Sequence, residues 1–243
     1  MTRIGILGSG GRMGKAVARA IEEHEAANLA GGAGKVDDAA ALAVDCDVLI
    51  DFSTPDALPG HIDVAVTAGT PIVVGTTGLT SQHERALVQA GSKIALLVSA
   101  NMSLGINLLA HLVREAASRL GSDWDIEIVE MHHRHKVDAP SGTALLLGSA
   151  AAQGRGVDLA QVSDRGRDGI TGARTPGHIG FASLRGGSVA GEHLAIFAGE
   201  GERIELGHRA ENRDIFARGA VRAALWLKDR PAGLYSMADL LEI

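Results

Sequence analysis

Cysteine is nearly absent from this chain of 243 residues: Cys46 is the only one, which excludes an internal disulfide and suits a reducing compartment. It stands where an apolar strand begins, so inert burial is its expected role. Aromatic residues are scarce, with four Phe, two Trp and one Tyr, and the formal net charge is −6. Both argue against a nucleic-acid partner, which calls for a basic surface and stacking rings. No apolar run approaches the roughly 20 residues of a membrane span. The chain enters a strand directly, without the pattern of a signal peptide. A cytoplasmic protein bound to neither membrane nor nucleic acid is expected. Proline is also rare, six residues against 32 glycines, which suits many tight strand-to-helix turns rather than disorder.

The glycines that are present are placed with a purpose. Arg3-Ile4-Gly5-Ile6-Leu7 reads as a buried strand. It runs into Gly8-Ser9-Gly10-Gly11-Arg12-Met13-Gly14 and then a helix with Met13, Ala16, Val17, Ala20 and Ile21 on one face. Strand, glycine-rich turn and helix in this order form a variant of the dinucleotide-binding fingerprint. Gly8 permits the tight turn, Gly11 lets the backbone approach a pyrophosphate, and Gly14 lets the helix pack on the strand.

Apolar strands and helices keep alternating after this unit. Strands are expected at 27–34, 47–52, 71–74 and 94–98, with helices at 37–44, after Pro55, and at 81–90. Strands apolar throughout indicate a parallel sheet covered on both faces, and ligands of such sheets lie beyond the strands' carboxyl ends. Three polar turns fall on that edge, at Phe52-Ser53-Thr54, Gly75-Thr76-Thr77 and Ser99-Ala100-Asn101. After a helix at 103–120 the pattern changes. A strand at 124–131 leads into a helix that starts at Ser141, and 153–177 is polar. Strands at 179–184, 188–197 and 203–208 follow without a long helix between them, so a mixed or antiparallel sheet is expected. Helices at 215–228 and 236–241 return to the first domain. The expected fold is α/β: a Rossmann-like parallel-sheet domain, 1–102 with 214–243, and a smaller α+β domain, 103–213.

Between strand and helix in the second domain stands the densest chemistry in the chain. His132-His133-Arg134-His135-Lys136 puts five basic side chains in a row, and Pro140-Ser141-Gly142-Thr143 then opens a helix. The N–H groups of a helix start favour an anion, so the spacing points to a small, multiply anionic ligand. The alternatives are a solvated basic face and a zinc site on His132, His133 and His135. Adjacent histidines on an extended chain point to opposite faces, and the spacing is not that of zinc-binding folds. No metal is expected.

Taken together, Gly8 to Gly14, Gly75-Thr76-Thr77-Gly78, Ala100-Asn101-Met102-Ser103-Leu104-Gly105 and above all Glu130 to Thr143 resemble the bacterial dihydrodipicolinate reductase family. The likeness extends to Gly180-Phe181-Ala182 and Gly191-Glu192-His193. The resemblance implies NADH- or NADPH-dependent reduction of 4-hydroxy-tetrahydrodipicolinate to tetrahydrodipicolinate with loss of water, in diaminopimelate and lysine biosynthesis. It implies a dinucleotide held by Gly8, Ser9, Gly10, Gly11, Arg12, Met13, Gly75, Thr76, Thr77, Ser99, Ala100, Asn101 and Met102. It makes His132 and Lys136 catalytic, with His133, Gly142 and Thr143 as contacts of the dicarboxylate substrate, and it implies a homotetramer built on the second domain's sheet. Two competing functions remain: another two-domain nicotinamide-dependent dehydrogenase, which would not explain the basic run, and a dinucleotide-sensing protein without turnover, which would need no proton donors.

One departure from the family bears on the coenzyme. Where many members carry an acid for the adenosine ribose, this chain has Gly34 followed by Lys35, in a segment that is short between Leu29 and Asp47. Loss of the carboxylate removes repulsion of a 2′-phosphate, and Lys35, helped by Arg12, could meet that phosphate as a point charge. NADPH is therefore the expected coenzyme, with Asp37 and Asp38 as residues that a trimmed loop could swing into the ribose position.

Overall fold

The computed structural model describes residues 1–34 and 37–243. The chain folds as two units, Met1–Leu104 with Asp214–Ile243, and Gly105–Arg213.

In the first unit the strands are β1 (Thr2–Leu7), β2 (Ala27–Ala33), β3 (Val48–Asp51), β4 (Ile72–Val74) and β5 (Ala95–Val98). They alternate with α1 (Arg12–Glu22), α2 (Ala39–Asp45), α3 (Leu58–Ala68) and α4 (Ser81–Gly91). Among the described residues every pairing in this sheet is parallel. Parallel strands need long crossovers, and the helices supply them while covering both faces. Successive strand residues therefore feed two cores. Ile4, Ile6, Val48, Ile50, Val73 and Leu97 pack on one face, with Val17 and Ile21 of α1. Leu7, Leu49, Ile72, Val74 and Leu96 pack on the other, with Leu58 and Ile62 of α3 and Leu87 of α4. Each such side chain, fully buried, contributes about 1.5–3 kcal/mol.

The second unit begins within α5 (Leu104–Arg119) and continues with β6 (Asp125–His132), α6 (Gly142–Arg155), α7 (Leu159–Val162), β7 (Ser163–Asp164), β8 (Ile179–Arg185), β9 (Gly191–Gly199) and β10 (Glu202–Ala210). Its sheet has the order β10-β9-β6-β8-β7. β6 pairs parallel with β8 and antiparallel with β9, so the sheet is mixed. Burial along β6 alternates strictly. Ile126 and Ile128 join Phe181, Ala195 and Phe197 beneath Leu109 and Val113 of α5 and Leu147 of α6. Glu127, Val129 and Met131 face the other way and are half-buried, with Glu127 paired there to Arg167 and Arg174.

The chain then returns to the first unit as α8 (Asp214–Leu227), β11 (Gly233–Tyr235) and α9 (Met237–Leu241). β11 adds to the edge of the first sheet beside β5. Several elements differ from the sequence reading, among them α7 and β7, which fall in the stretch 153–177 read only as polar. β9 starts at Gly191 rather than Ser188, because 186–189 is a turn bonded to the basic segment: Gly186 N–H donates to His132 O at 2.9 Å and His133 N–H to Val189 O at 2.8 Å. α6 runs on to Arg155, where Gly156, at φ 66°, ends it. β11 went unnoticed because three residues carry no periodicity. Cys46 is half-buried, and burial pushes its thiol up to about 11, which leaves little thiolate at neutral pH.

Candidate active site

In the first unit the turns after β1, β4 and β5 lie together along the carboxyl edge of the sheet. The turn after β1 is shaped by close approach. Gly8 has φ 83°, and a Cβ on Gly14 would stand 2.4 Å from the Gly8 carbonyl oxygen, so only glycine lets α1 begin so near the strand. Gly11 is the N-cap of α1, with no side chain capping it and no acid in the first turn. A Cβ on Gly10 would meet nothing within 4 Å. The helix start is thus open and carries the positive end of the helix dipole, a cradle that fits a dinucleotide pyrophosphate. Arg12 is exposed beside it, whereas Met13 packs against the core under α1.

The other two turns are braced from within. Asp51, fully buried at the end of β3, accepts hydrogen bonds from Thr76 Oγ1 at 2.6 Å, from Ser53 N at 3.0 Å and Ser53 Oγ at 2.8 Å, and pairs with His61 Nδ1 at 2.6 Å. Burial pushes the Asp51 carboxyl up, but the bonds from His61, Thr76 and Ser53 outweigh it and hold it below the usual carboxylate range. Thr76 therefore turns its hydroxyl into the fold, while Gly75 is buried and Thr77 exposed. Ser99 Oγ donates to Asn101 O at 2.8 Å and accepts Asn101 N–H at 3.2 Å, Asn101 Oδ1 accepts Ser103 N–H at 2.9 Å, and Ala100 is exposed. Met102 is 2% exposed and belongs to the core, so what it offers a ligand is backbone. At the end of β2, Gly34 N–H donates to Asp37 Oδ2 at 2.7 Å, and Asp38 caps α2. Lys35 lies outside the described residues.

In the second unit, β6 delivers His132 to the protein interior and the basic segment then turns outward. His132 is 9% exposed, and its Nδ1 sits 2.5 Å from Glu130 Oε2. Glu130 is 1% exposed, and Arg185 grips it with two bonds of 2.8 Å. Burial pushes the Glu130 carboxyl up, but hydrogen bonds from Arg185, Ser183 and His132 prevail and hold it at about 2. His133 accepts an N–H from Arg213 at its Nε2, 2.9 Å away, and burial with the Arg213 charge lowers its pKa. Lys136 Nζ donates to both carboxylate oxygens of Asp138 at 2.8 and 2.9 Å. Arg134 and His135 are exposed.

Ser141 caps α6, its Oγ accepting Ala144 N–H at 3.1 Å and sharing a hydrogen bond with His193 Nε2 at 3.0 Å. Gly142 and Thr143 form the first turn of α6, which contains no acid, and a Cβ on Gly142 would meet nothing within 4 Å. The helix start is thus accessible to an anion. The His193 ring meets His132 edge-on, with centroids 5.1 Å apart. Burial, and after it the His132 charge, pushes His193 down to about 4, so it is neutral at pH 7. This cluster combines an acid–base imidazole on a buried carboxylate, a lysine, and an open helix N-terminus, enough to bind carboxylates and deliver a proton.

Sequence reasoning missed Asp51, His61, Arg185, Arg213 and the part played by Glu130. Asp51 left a signal, a charged residue closing an otherwise apolar strand, and so did Glu130, an acid on the inward-facing register of β6. Arg185, 55 residues away from Glu130, left none.

Two family models match the chain: dihydrodipicolinate reductase, N-terminus, over residues 2–102, and dihydrodipicolinate reductase, C-terminus, over residues 105–241. A 4-hydroxy-tetrahydrodipicolinate reductase of Zymomonas mobilis is 57% identical, the match covering 98% of this chain and 96% of the relative. One of Parvibaculum lavamentivorans is 53% identical, covering 99% and 98%. The solved dipicolinate-bound dihydrodipicolinate reductase of Paenisporosarcina sp. TG-14 has the same fold, with a TM-score of 0.81 and 24% identity over 98% of each chain. With both family models matched and full-length relatives above half identity, the chain belongs to the dihydrodipicolinate reductase family, the NAD(P)H-dependent oxidoreductases of lysine and diaminopimelate biosynthesis.

Proposed function

We propose that the family reaction, NADH- or NADPH-dependent reduction of 4-hydroxy-tetrahydrodipicolinate to tetrahydrodipicolinate with loss of water, runs here with His132 as proton donor and Lys136 as a second cationic donor. The observation that carries this reading is the seating of His132 on a buried carboxylate, in the same short segment as Lys136 and the open start of α6. The nicotinamide, when bound, supplies a hydride. The turns Gly8 to Met13, Gly75 to Thr77 and Ser99 to Met102 hold the dinucleotide, chiefly through backbone groups. The two substrate carboxylates are met by Lys136, by His133, and by the N–H groups of Gly142 and Thr143. On binding, a substrate carboxylate takes the place of Asp138 on Lys136 Nζ. His132 then gives its proton at Nε2, the nitrogen turned away from Glu130.

The test is turnover of freshly prepared condensation product, followed at the nicotinamide absorbance band. His132→Gln and Lys136→Ala each lower turnover by about a hundredfold or more, while dinucleotide affinity stays unchanged. Near-normal turnover in both variants removes the mechanism, and joint loss of turnover and dinucleotide binding makes the cluster structural.

Coenzyme choice turns on the end of β2. The expectation of NADPH rested on a position without a carboxylate, but Asp37 brings one to Gly34 N–H. That placement supports acceptance of NADH, with Asp37 as the residue that discriminates against a 2′-phosphate.

The assembly follows from the uncovered sheet face of the second unit. Val129, Met131, Leu194 and Ile196 are only half-buried there, and Leu184 is 50% exposed. A second copy of the same sheet is the cover with matching chemistry, and a homotetramer is expected by light scattering at micromolar concentration. A monomer under those conditions removes this part of the reading.

A further inference from the structure

Glu130 is 1% exposed, and each of its hydrogen-bonding partners, His132, Ser141 and Arg185, is a donor. Oε2 faces His132 Nδ1 at 2.5 Å and Arg185 Nη1 at 2.8 Å. Oε1 faces Arg185 Nη2 at 2.8 Å and Ser141 N–H at 3.3 Å. The Ser183 hydroxyl adds a further bond. Only an ionised carboxylate accepts at both oxygens, and Arg185 supplies the charge that keeps it ionised in the interior. An acceptor-only partner at 2.5 Å requires the hydrogen on Nδ1 of His132. The other ring nitrogen, Nε2, faces Gly191, where an added Cβ would stand 3.1 Å away.

We infer that Glu130 is a positioning residue: clamped by Arg185, its carboxylate fixes His132 in the tautomer protonated at Nδ1 and leaves Nε2 as the nitrogen that takes up and gives away the proton. The consequence for catalysis rests on the role proposed above for His132; the tautomer itself does not. In the catalytic cycle, Nε2 gains a proton from solvent and releases it to the substrate. Nδ1–H stays on Glu130 throughout, so the imidazolium always has an anion beside it. The logic is that of a buried acid orienting a catalytic imidazole.

Glu130→Gln tests this because its amide must turn an NH2 toward one donor pair or the other. Turned toward Ser141, the NH2 forfeits two bonds, from Arg185 Nη2 and from the Ser141 N–H. Turned toward His132, it forfeits only the bond from Arg185 Nη1, because the ring can accept at Nδ1 instead. The second arrangement loses less, and it moves the neutral ring's hydrogen to Nε2. The experiment is long-range proton–nitrogen correlation NMR on protein carrying 15N-histidine, at a pH where the ring is neutral. The His132 signals are assigned by their loss in His132→Gln.

Wild type is expected to show Nδ1 protonated and Nε2 bare. Glu130→Gln is expected to show the reverse, with kcat lower by about tenfold or more and the coenzyme KM within about twofold of wild type. A wild-type ring protonated at Nε2 overturns the inference, as does an unchanged tautomer in folded Glu130→Gln. If that variant does not fold, the wild-type tautomer still decides. Full turnover by His132→Gln would sink the proton-donor reading while leaving the tautomer standing. An Nε2-protonated wild type together with an inactive His132→Gln would sink this inference alone.

Discussion

Replacing Gly14 by alanine adds one methyl group where the first unit has no room for it. The new Cβ would lie 2.4 Å from the Gly8 carbonyl oxygen, 2.7 Å from Ser9 Cα and 2.8 Å from Ser9 O, whereas ordinary contact begins at 3.4 Å. These neighbours are backbone, so no side chain can rotate aside, and α1 must move about 1 Å from the turn. Overpacking of this kind costs about 1–3 kcal/mol. Alanine returns about 1 kcal/mol through its better helix propensity, so the net loss of stability is at most about 2 kcal/mol and the variant folds. Binding suffers more, because the N–H groups that face the pyrophosphate move with the helix. Losing one charge-assisted hydrogen bond is worth about 1.5–3 kcal/mol, which is about ten- to hundredfold in dinucleotide Kd. Calorimetric titration with NADH and NADPH measures this, and thermal melting measures the fold. Gly10→Ala is the stability control, since its Cβ would meet nothing within 4 Å and its melting transition should not move. A folded Gly14→Ala that binds either dinucleotide within twofold of wild type refutes the argument that this approach shapes the cradle.

Two further outcomes follow from the charges. His193 is held at about 4 against an ordinary 6.5, so between these values the unfolded chain binds more protons than the folded one. Its stabilisation is complete above 6.5 and is lost as pH falls through 4, by up to about 3 kcal/mol; Glu130, at about 2 against 4.5, adds a second loss between those two values. Urea midpoints should therefore drop from pH 7 to pH 4.5, and the drop should shrink in His193→Gln; equal wild-type midpoints would contradict the burial argument. For the coenzyme, Asp37→Asn should shift the ratio of kcat/KM toward NADPH by about tenfold, since a carboxylate beside a 2′-phosphate is repulsive, and an unchanged ratio would show that Asp37 does not read the ribose.

Where the sequence reading was accurate, the signal was short-range. Apolar strands interrupted by glycine-bearing turns specify a parallel sheet because each βα step is stabilised largely by its immediate neighbours along the chain. The basic segment and the Ser141 helix start were legible for the same reason, lying within a dozen residues of one another. The errors have the opposite character. The sequence reading opened a strand at Ser188, yet 186–189 turns, because its carbonyls receive the N–H groups of the basic segment. Gly233–Tyr235 becomes a strand only because β5 offers an unpaired edge. Thr76 and Met102 keep their place in turns that offer backbone to a dinucleotide, but no local pattern tells that the hydroxyl of one goes to Asp51 and the side chain of the other to the core.

The sequence by itself determined the fold class, the dinucleotide turn, the basic cluster and the family, because hydrophobic period, glycine spacing and contiguous motifs are local properties that survive without coordinates. Only the tertiary structure decided how those groups are charged and held. Glu130 meets Arg185 across 55 residues, Ser141 meets His193 across 52, and Asp51 meets Thr76 across 25. Such bonds form where packing has already removed water, so that a buried carboxylate must find its donors among whatever side chains the sheet brings alongside.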